Sequence, residues 1–212
     1  MANVGTRTGA CAWQGGQSPY GINSKKLGMW LFILSDTLTF ASLLVAYSYV
    51  RVGSENWPRP FDSHSILLAS IMTFCLLSSS LTMVMAVSAA QRLERKKAVR
   101  WLLATIAGGL LFVVLHVNEW IGLIHDGVTP FSNPWGVPLF GASFFALTGL
   151  HMTHVVIGVG YLGVITLGFG KGKYSSEDVE VSGLYWHFVD LVWMFVFPMV
   201  YLLSTNMGGG IH

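Results

Sequence analysis

Residues 137–169, VPLFGASFFALTGLHMTHVVIGVGYLGVITLGF, form an apolar run longer than a bilayer crossing requires. About twenty residues at 1.5 Å per residue cross the hydrocarbon core, so this segment tilts strongly or protrudes. Four other stretches reach spanning length, at about 27–50, 65–90, 101–125 and 181–203. Backbone polar groups in lipid find partners only within the chain, so each span is expected to be helical. Alternating strand-length segments with turn signals are absent, which excludes a β-barrel. The expected fold class is an all-α integral membrane protein, a bundle of five transmembrane helices.

Composition agrees. The 212 residues are 53% hydrophobic and 10% charged, with a mean hydropathy of +0.58. A soluble domain carries about a quarter charged residues, so most of this surface faces something other than water. The net charge of +2 argues against a nucleic-acid partner. Cys11 and Cys75 have no partner spacing for a disulfide, a zinc site or haem attachment. Residues 1–26 are polar and lack the apolar segment of a signal peptide, so the first span is read as an uncleaved anchor.

Charge between the spans orients them. Arg7, Lys25 and Lys26 precede span one, Arg92, Arg95, Lys96, Lys97 and Arg100 crowd the second-to-third link, and Lys171 and Lys173 follow span four. The opposite side has only Arg51 and Arg59. The positive-inside rule then predicts a cytoplasmic N-terminus and an external C-terminus. The organisation expected is a cytoplasmic tail (1–26), a five-helix domain (27–204) and a short tail (205–212).

Span two carries Ser78, Thr82, Ala86 and Ala90 at four-residue intervals, a ridge that another helix can approach closely. Trp30, Trp101, Trp120, Trp135 and Trp186 fall near predicted span ends, where indoles anchor at headgroup level. Pro198 is expected to kink span five or relax its hydrogen bonding.

Ionisable groups at bilayer depth are costly and normally face a protein interior, a partner or a water pathway. Seven stand out: Asp36 in span one, His116 and Glu119 in span three, His151 and His154 in span four, and His187 and Asp190 in span five. Each of the last three pairs is spaced i,i+3 and shares a helical face. Three readings compete. The histidines ligate a haem or metal; the set forms a proton relay; or the groups make interhelical hydrogen bonds of about 0.6–2 kcal/mol each. Ligation is weakened because His116-Val-Asn-Glu119 runs opposite to the Glu-x-x-His order of di-iron bundles.

Three stretches in order carry a resemblance. Residues 27–36 read LGMWLFILSD, residues 144–155 read FFALTGLHMTHV, and residues 185–193 read YWHFVDLVW. They are similar to the GMWLFI-x-SE, FF-xx-TG-x-H-xx-HV and YWHFVD-x-VW segments of subunit III of the haem-copper respiratory oxidases. Glu119-Trp120 falls where that family has a Glu-aromatic pair. Asp36 stands in place of the family's usual Glu, and His116 where Gln is usual. The five spans match the short bacterial form, without the two extra N-terminal helices of the mitochondrial type and the lipid cleft they help enclose.

The resemblance implies a subunit without a redox centre in a complex that reduces oxygen to water and pumps protons. Haem and copper would lie in partner subunits, and this chain would hold no catalytic residue and no metal. Subunit I would be its direct partner, with subunits II and IV in the same complex, and it would bind phospholipid and support proton uptake and stability during turnover. Asp36, Glu119, His151, His154, His187 and Asp190 would be buried packing or lipid-contact groups, with His116 beside them. An accessory protein of a nitric oxide reductase shares these motifs. A free-standing haem-binding cytochrome, which visible spectra would reveal, and a secondary transporter, which needs broken helices, are the readings from other classes.

Overall fold

A computed structural model describes residues 24–54 and 56–205. Most of the N-terminal tail, with Arg7 and Cys11, and residues 206–212 of the C-terminal tail lie outside the described residues. The chain forms α1 (Ser24–Val52), α2 (Ser63–Gln91), α3 (Arg95–His125), α4 (Pro138–Gly170) and α5 (Ser176–Val196). A π-turn (Phe197–Tyr201) and a 3-10 turn (Leu202–Ser204) extend α5. All five helices are long and apolar enough to cross a membrane.

Local signals mark several ends. Asp62 caps α2, its carboxylate accepting from the Ser65 backbone N–H at 2.9 Å. That bond, with one from the Ser65 hydroxyl, holds the exposed Asp62 carboxyl below its ordinary range. Ser175 and Asp178 form a reciprocal capping box at the start of α5. Between α2 and α3, Leu93 takes a left-handed φ of 60°, a place usually given to glycine.

The helices run past the apolar segments. At 1.5 Å per residue α3 is about 45 Å long, well beyond the hydrocarbon thickness. Arg95, Lys96, Lys97 and Arg100 therefore belong to its first turns rather than to a link, since helical hydrogen bonding continues in the headgroup layer. The connection shrinks to residues 92–94. Span five differs at its other end. Pro198 lacks the N–H that would continue the helix, and the chain widens there into the π-turn.

The tightest packing joins α2 to α3. A Cβ on Gly108 would lie 2.8 Å from Ser79 Cβ, and Thr82 Oγ1 lies 2.8 Å from Thr105 Oγ1. The small-residue ridge of α2 is present, but its closest approach passes through buried Ser79 rather than half-buried Ser78. Trp186 locks the centre. Its ring lies against Gly109 of α3 and Gly158 of α4, while its indole N–H donates to Ser79 Oγ of α2 at 3.0 Å. It is fully buried, so the headgroup-anchor reading of Trp186 is corrected: α5 begins ten residues earlier and carries this indole inward.

α1 is attached differently. Only Phe40 and Tyr47 of its residues are buried, and it rests on α4 and α5. Polar contacts fasten both ends. Lys25 Nζ meets Asp178 at 2.7 Å and Lys26 meets Glu180. At the far end Arg51 donates to the carbonyls of Met199 and Leu203 at the irregular end of α5.

Candidate functional site

The seven ionisable residues form three groups inside the bundle. The first joins α1 to α4: His154 Nε2 lies 2.7 Å from Asp36 Oδ2. The distance is that of an ion pair, while the contact lacks the alignment of a hydrogen bond. The opposite ring nitrogen, Nδ1, is 2.8 Å from the Leu150 carbonyl. A carbonyl only accepts, so Nδ1 carries a proton and donates it there. Phe40 packs edge-on against this ring at 5.2 Å, and the Tyr185 hydroxyl donates to the His154 carbonyl at 3.0 Å.

The second group lies among α3, α4 and α5. His151 Nε2 donates to the Val189 carbonyl at 3.2 Å, and the Tyr201 hydroxyl donates to Glu119 Oε2 at 2.8 Å. His116 Nδ1 sits 3.6 Å from the same carboxylate oxygen, too far for a hydrogen bond. Both imidazoles pack on Phe112 and Trp193, with centroids 5.0 to 5.7 Å apart. The Trp193 indole N–H is tied in turn to Thr73 of α2 at 2.9 Å. The π-turn delivers Tyr201 here from the end of α5.

The third group joins α2 to α5. Ser80 Oγ lies 2.6 Å from His187 Nδ1. Asp190, one turn along the same face, is buried, and neither of its oxygens has a hydrogen-bond partner among the described residues.

A shared helical face does not always make a shared site: His151 reaches α5 and His154 reaches α1, whereas His116 and Glu119 stay together. Among the described residues no three His, Cys, Asp or Glu side chains come together as a metal ligand set. The arrangement fixes helices to one another.

Several participants escape a reading of single spans. Tyr201 is one, because an aromatic residue near a span end gives no local sign that a π-turn aims it inward. The buried clasp in which Ser204 Oγ meets both the Tyr47 hydroxyl and the Trp57 indole, each at 3.2 Å, is another. Lys25 and Lys26 read only as orienting charges, yet they pair with the first turns of α5.

The three motif segments are physically one constellation. Asp36 comes from the first, His151 and His154 from the second, and Tyr185 and Val189 from the third. Comparison with known proteins points the same way. The family model described as "Cytochrome c oxidase subunit III" matches residues 9–205. The "Cytochrome c oxidase subunit 3" of Alkalihalophilus pseudofirmus is 33% identical over 186 residues, covering 86% of this chain and 88% of that protein. The "Quinol oxidase subunit 3" of Bacillus spizizenii is 33% identical over 183 residues, covering 85% and 87%. The "Cytochrome c oxidase subunit 3" of Bacillus sp. strain PS3 is 32% identical over 186 residues, covering 85% and 86%.

Proposed function

Because the chain belongs to the cytochrome c oxidase subunit III family of haem-copper oxidase subunits, we propose that it is a structural, redox-inactive subunit III. In this reading it packs on catalytic subunit I in the inner membrane, beside subunits II and IV. It binds phospholipid and supports proton uptake and stability while the complex reduces oxygen to water. Haem and copper belong to the partner subunits. The observation that carries the reading is the closure of the three family motifs on one another, through Asp36 with His154, Tyr185 with the His154 carbonyl and His151 with the Val189 carbonyl. Side chains spent on joining helices are suited to holding a scaffold rather than to turning over a substrate.

The dispersal of the histidines supports the assignment of cofactors to other subunits. His116, whose ring is packed between aromatic faces, and His151, committed to a backbone carbonyl, are not arranged as an axial pair. Asp36, His116, Glu119, His151, His154, His187 and Asp190 then act as interhelical contacts, with Asp36 and His154 placed to influence proton uptake indirectly.

A cytoplasmic N-terminus is the orientation that fits. The starts of α1 and α5 are paired, and Arg95 at the start of α3 covers the Phe169 ring at the end of α4. The basic residues are thereby gathered at one end of the bundle, and that end faces the cytoplasm.

Purification of the native complex through a tag on this chain tests the function. Subunits I and II of an oxidase are expected to copurify with it, and the chain separated from them is expected to be colourless. Copurification with nitric oxide reductase subunits instead, or a haem spectrum in the isolated chain, would overturn the assignment.

A further inference from the structure

Two polar stripes descend from the basic end of the bundle along the seam between α2 and α5. On α2 the stripe is Gln91, Ser88 and Ser80, and on α5 it is Glu180, His187 and Asp190. Their spacings keep each set on one helical face. A cleft of about 250 Å³ follows the seam, lined by Gln91, Ser88 and Glu180 near its mouth and by His187 at its inner end. Glu180 is paired with Lys26 and Arg92 follows Gln91, so charge gathers at the mouth. Further in, Ser80 Oγ lies 2.6 Å from His187 Nδ1, which leaves Nε2 for the cleft. Ser80 also adjoins the Asp190 carboxyl, without the alignment of a hydrogen bond.

Asp190 is 5% exposed and about 15 Å further along α5 than Glu180. Among the described residues no cation lies within ion-pair distance of it. The ionisable groups that the other helices turn inward are committed elsewhere: His151 to the Val189 carbonyl, Asp36 to His154 and Glu119 to Tyr201. A lone carboxylate at this depth is costly. Both of its oxygens are closed to the surface, so an outside cation does not reach them, whereas a proton can be handed on. We infer that the α2–α5 cleft is a water inlet ending in a buried proton-binding site at Asp190, with His187 and Ser80 as the link. The cleft has room for several waters at about 30 Å³ each. Asp190 then stands as a carboxylic acid. On release its proton passes to Ser80 Oγ, the Ser80 proton to His187 Nδ1, and the Nε2 proton to a cleft water, leaving a carboxylate and a hydronium ion. Uptake is the reverse and restores every group. Exchange is with the basic end of the bundle alone. The site depends on membrane embedding and not on the oxidase assignment, so either can fail without the other.

The test is infrared spectroscopy of the native complex, tagged on this chain, in membranes at neutral pH, transferred from ordinary to heavy water. A protonated carboxyl gives a carbonyl band clear of the amide bands, and the band shifts on deuteration. One such band should be present that Asp190→Asn removes, and it should shift in heavy water. Ser88→Leu fills the cleft and Ser80→Ala removes the link, and neither changes an ionisable group. In both variants the band should remain while its shift slows severalfold. Ala41→Leu fills the apolar furrow between α1 and α5 instead and should leave the rate unchanged. If Asp190→Asn removes no acid band, Asp190 is ionised and the site is overturned. A band that does not shift in the wild type, or shifts at the wild-type rate in Ser88→Leu or Ser80→Ala, would overturn the inlet. Equal slowing by Ala41→Leu would trace exchange to general opening of the bundle and overturn it too. Copurification of subunits I and II, scored on the same samples, reports separately on the functional assignment.

Discussion

Asp36 of α1 and His154 of α4, 118 positions apart in sequence, approach to 2.7 Å and join their two helices. A carboxyl near the middle of a span is costly when ionised and alone, by about 2.5 kcal/mol or more on the insertion scale. The imidazole removes the isolation. Asn at position 36 keeps size and hydrogen-bonding capacity without a titratable group, whereas Leu keeps neither. Asp36→Asn is expected to assemble and pump nearly normally. Asp36→Leu is expected to lose subunit association or inactivate during turnover, with loss of an interhelical bond of about 0.6–2 kcal/mol. Oxygen consumption and proton release in reconstituted vesicles measure both. An intact Asn complex without proton pumping would make Asp36 an essential carrier.

Changing His151 and His154 together to Gln removes the bond to the Val189 carbonyl and the partner of Asp36. The haem content of the complex is expected to stay at the wild-type stoichiometry, while the midpoint of thermal dissociation falls. Reduced-minus-oxidised spectra of the tagged complex decide it. Stoichiometric haem loss with subunits I and II still bound would mean that these histidines ligate.

Gly109 and Trp186 should be coupled. A methyl group at Gly109 overlaps the indole ring, so Gly109→Ala is expected to cost about 1–3 kcal/mol by overpacking. Trp186→Phe shortens the ring and opens room, at the expense of the bond to Ser79. The double variant should then be more stable than the sum of the single effects predicts, read from thermal unfolding in detergent. Strict additivity would mean that the two residues do not press on each other.

Reporter fusions test the orientation. Those at Lys96 and Ser175 are expected to report the cytoplasm, and those at Asn133 and the C-terminus the opposite side. A cytoplasmic C-terminus together with cytoplasmic Lys96 and Ser175 is incompatible with five crossings, since an odd number separates the two ends of the chain.

How much of this was legible along the chain follows from how far each signal reaches. Hydrophobic length is local, so the existence of five spans can be read directly, and Pro198 marks the place where α5 loses its regular form. The need of Asp36 for a neutralising neighbour is also local, because it follows from depth alone. The identity of that neighbour is not, since pairing α1 with α4 depends on how all five helices associate. Trp186 shows the complementary failure. Counting apolar residues places the span start at 181, next to the indole, but the helix begins at Ser176 through a capping box of polar residues that hydropathy discards. Tyr201 reaches Glu119 only because of the π-turn, a change of helical phase that a 3.6-residue period cannot anticipate.

The fastening of α1 has a consequence for how the molecule is made. Its anchoring partners, His154, Asp178, Glu180 and Leu203, are all synthesised more than a hundred residues after it. At about 5–20 residues per second the ribosome needs on the order of ten seconds between Asp36 and His154. Throughout that interval α1 sits in the bilayer with an unmatched carboxyl and almost no buried apolar face to hold it elsewhere. The nascent chain therefore has a defined unfinished state, in which α2 and α3 can pair while α1 waits for α4. A membrane chaperone or protease that recognises an exposed intramembrane acid would find it in incomplete chains, and lose it once α1 closes.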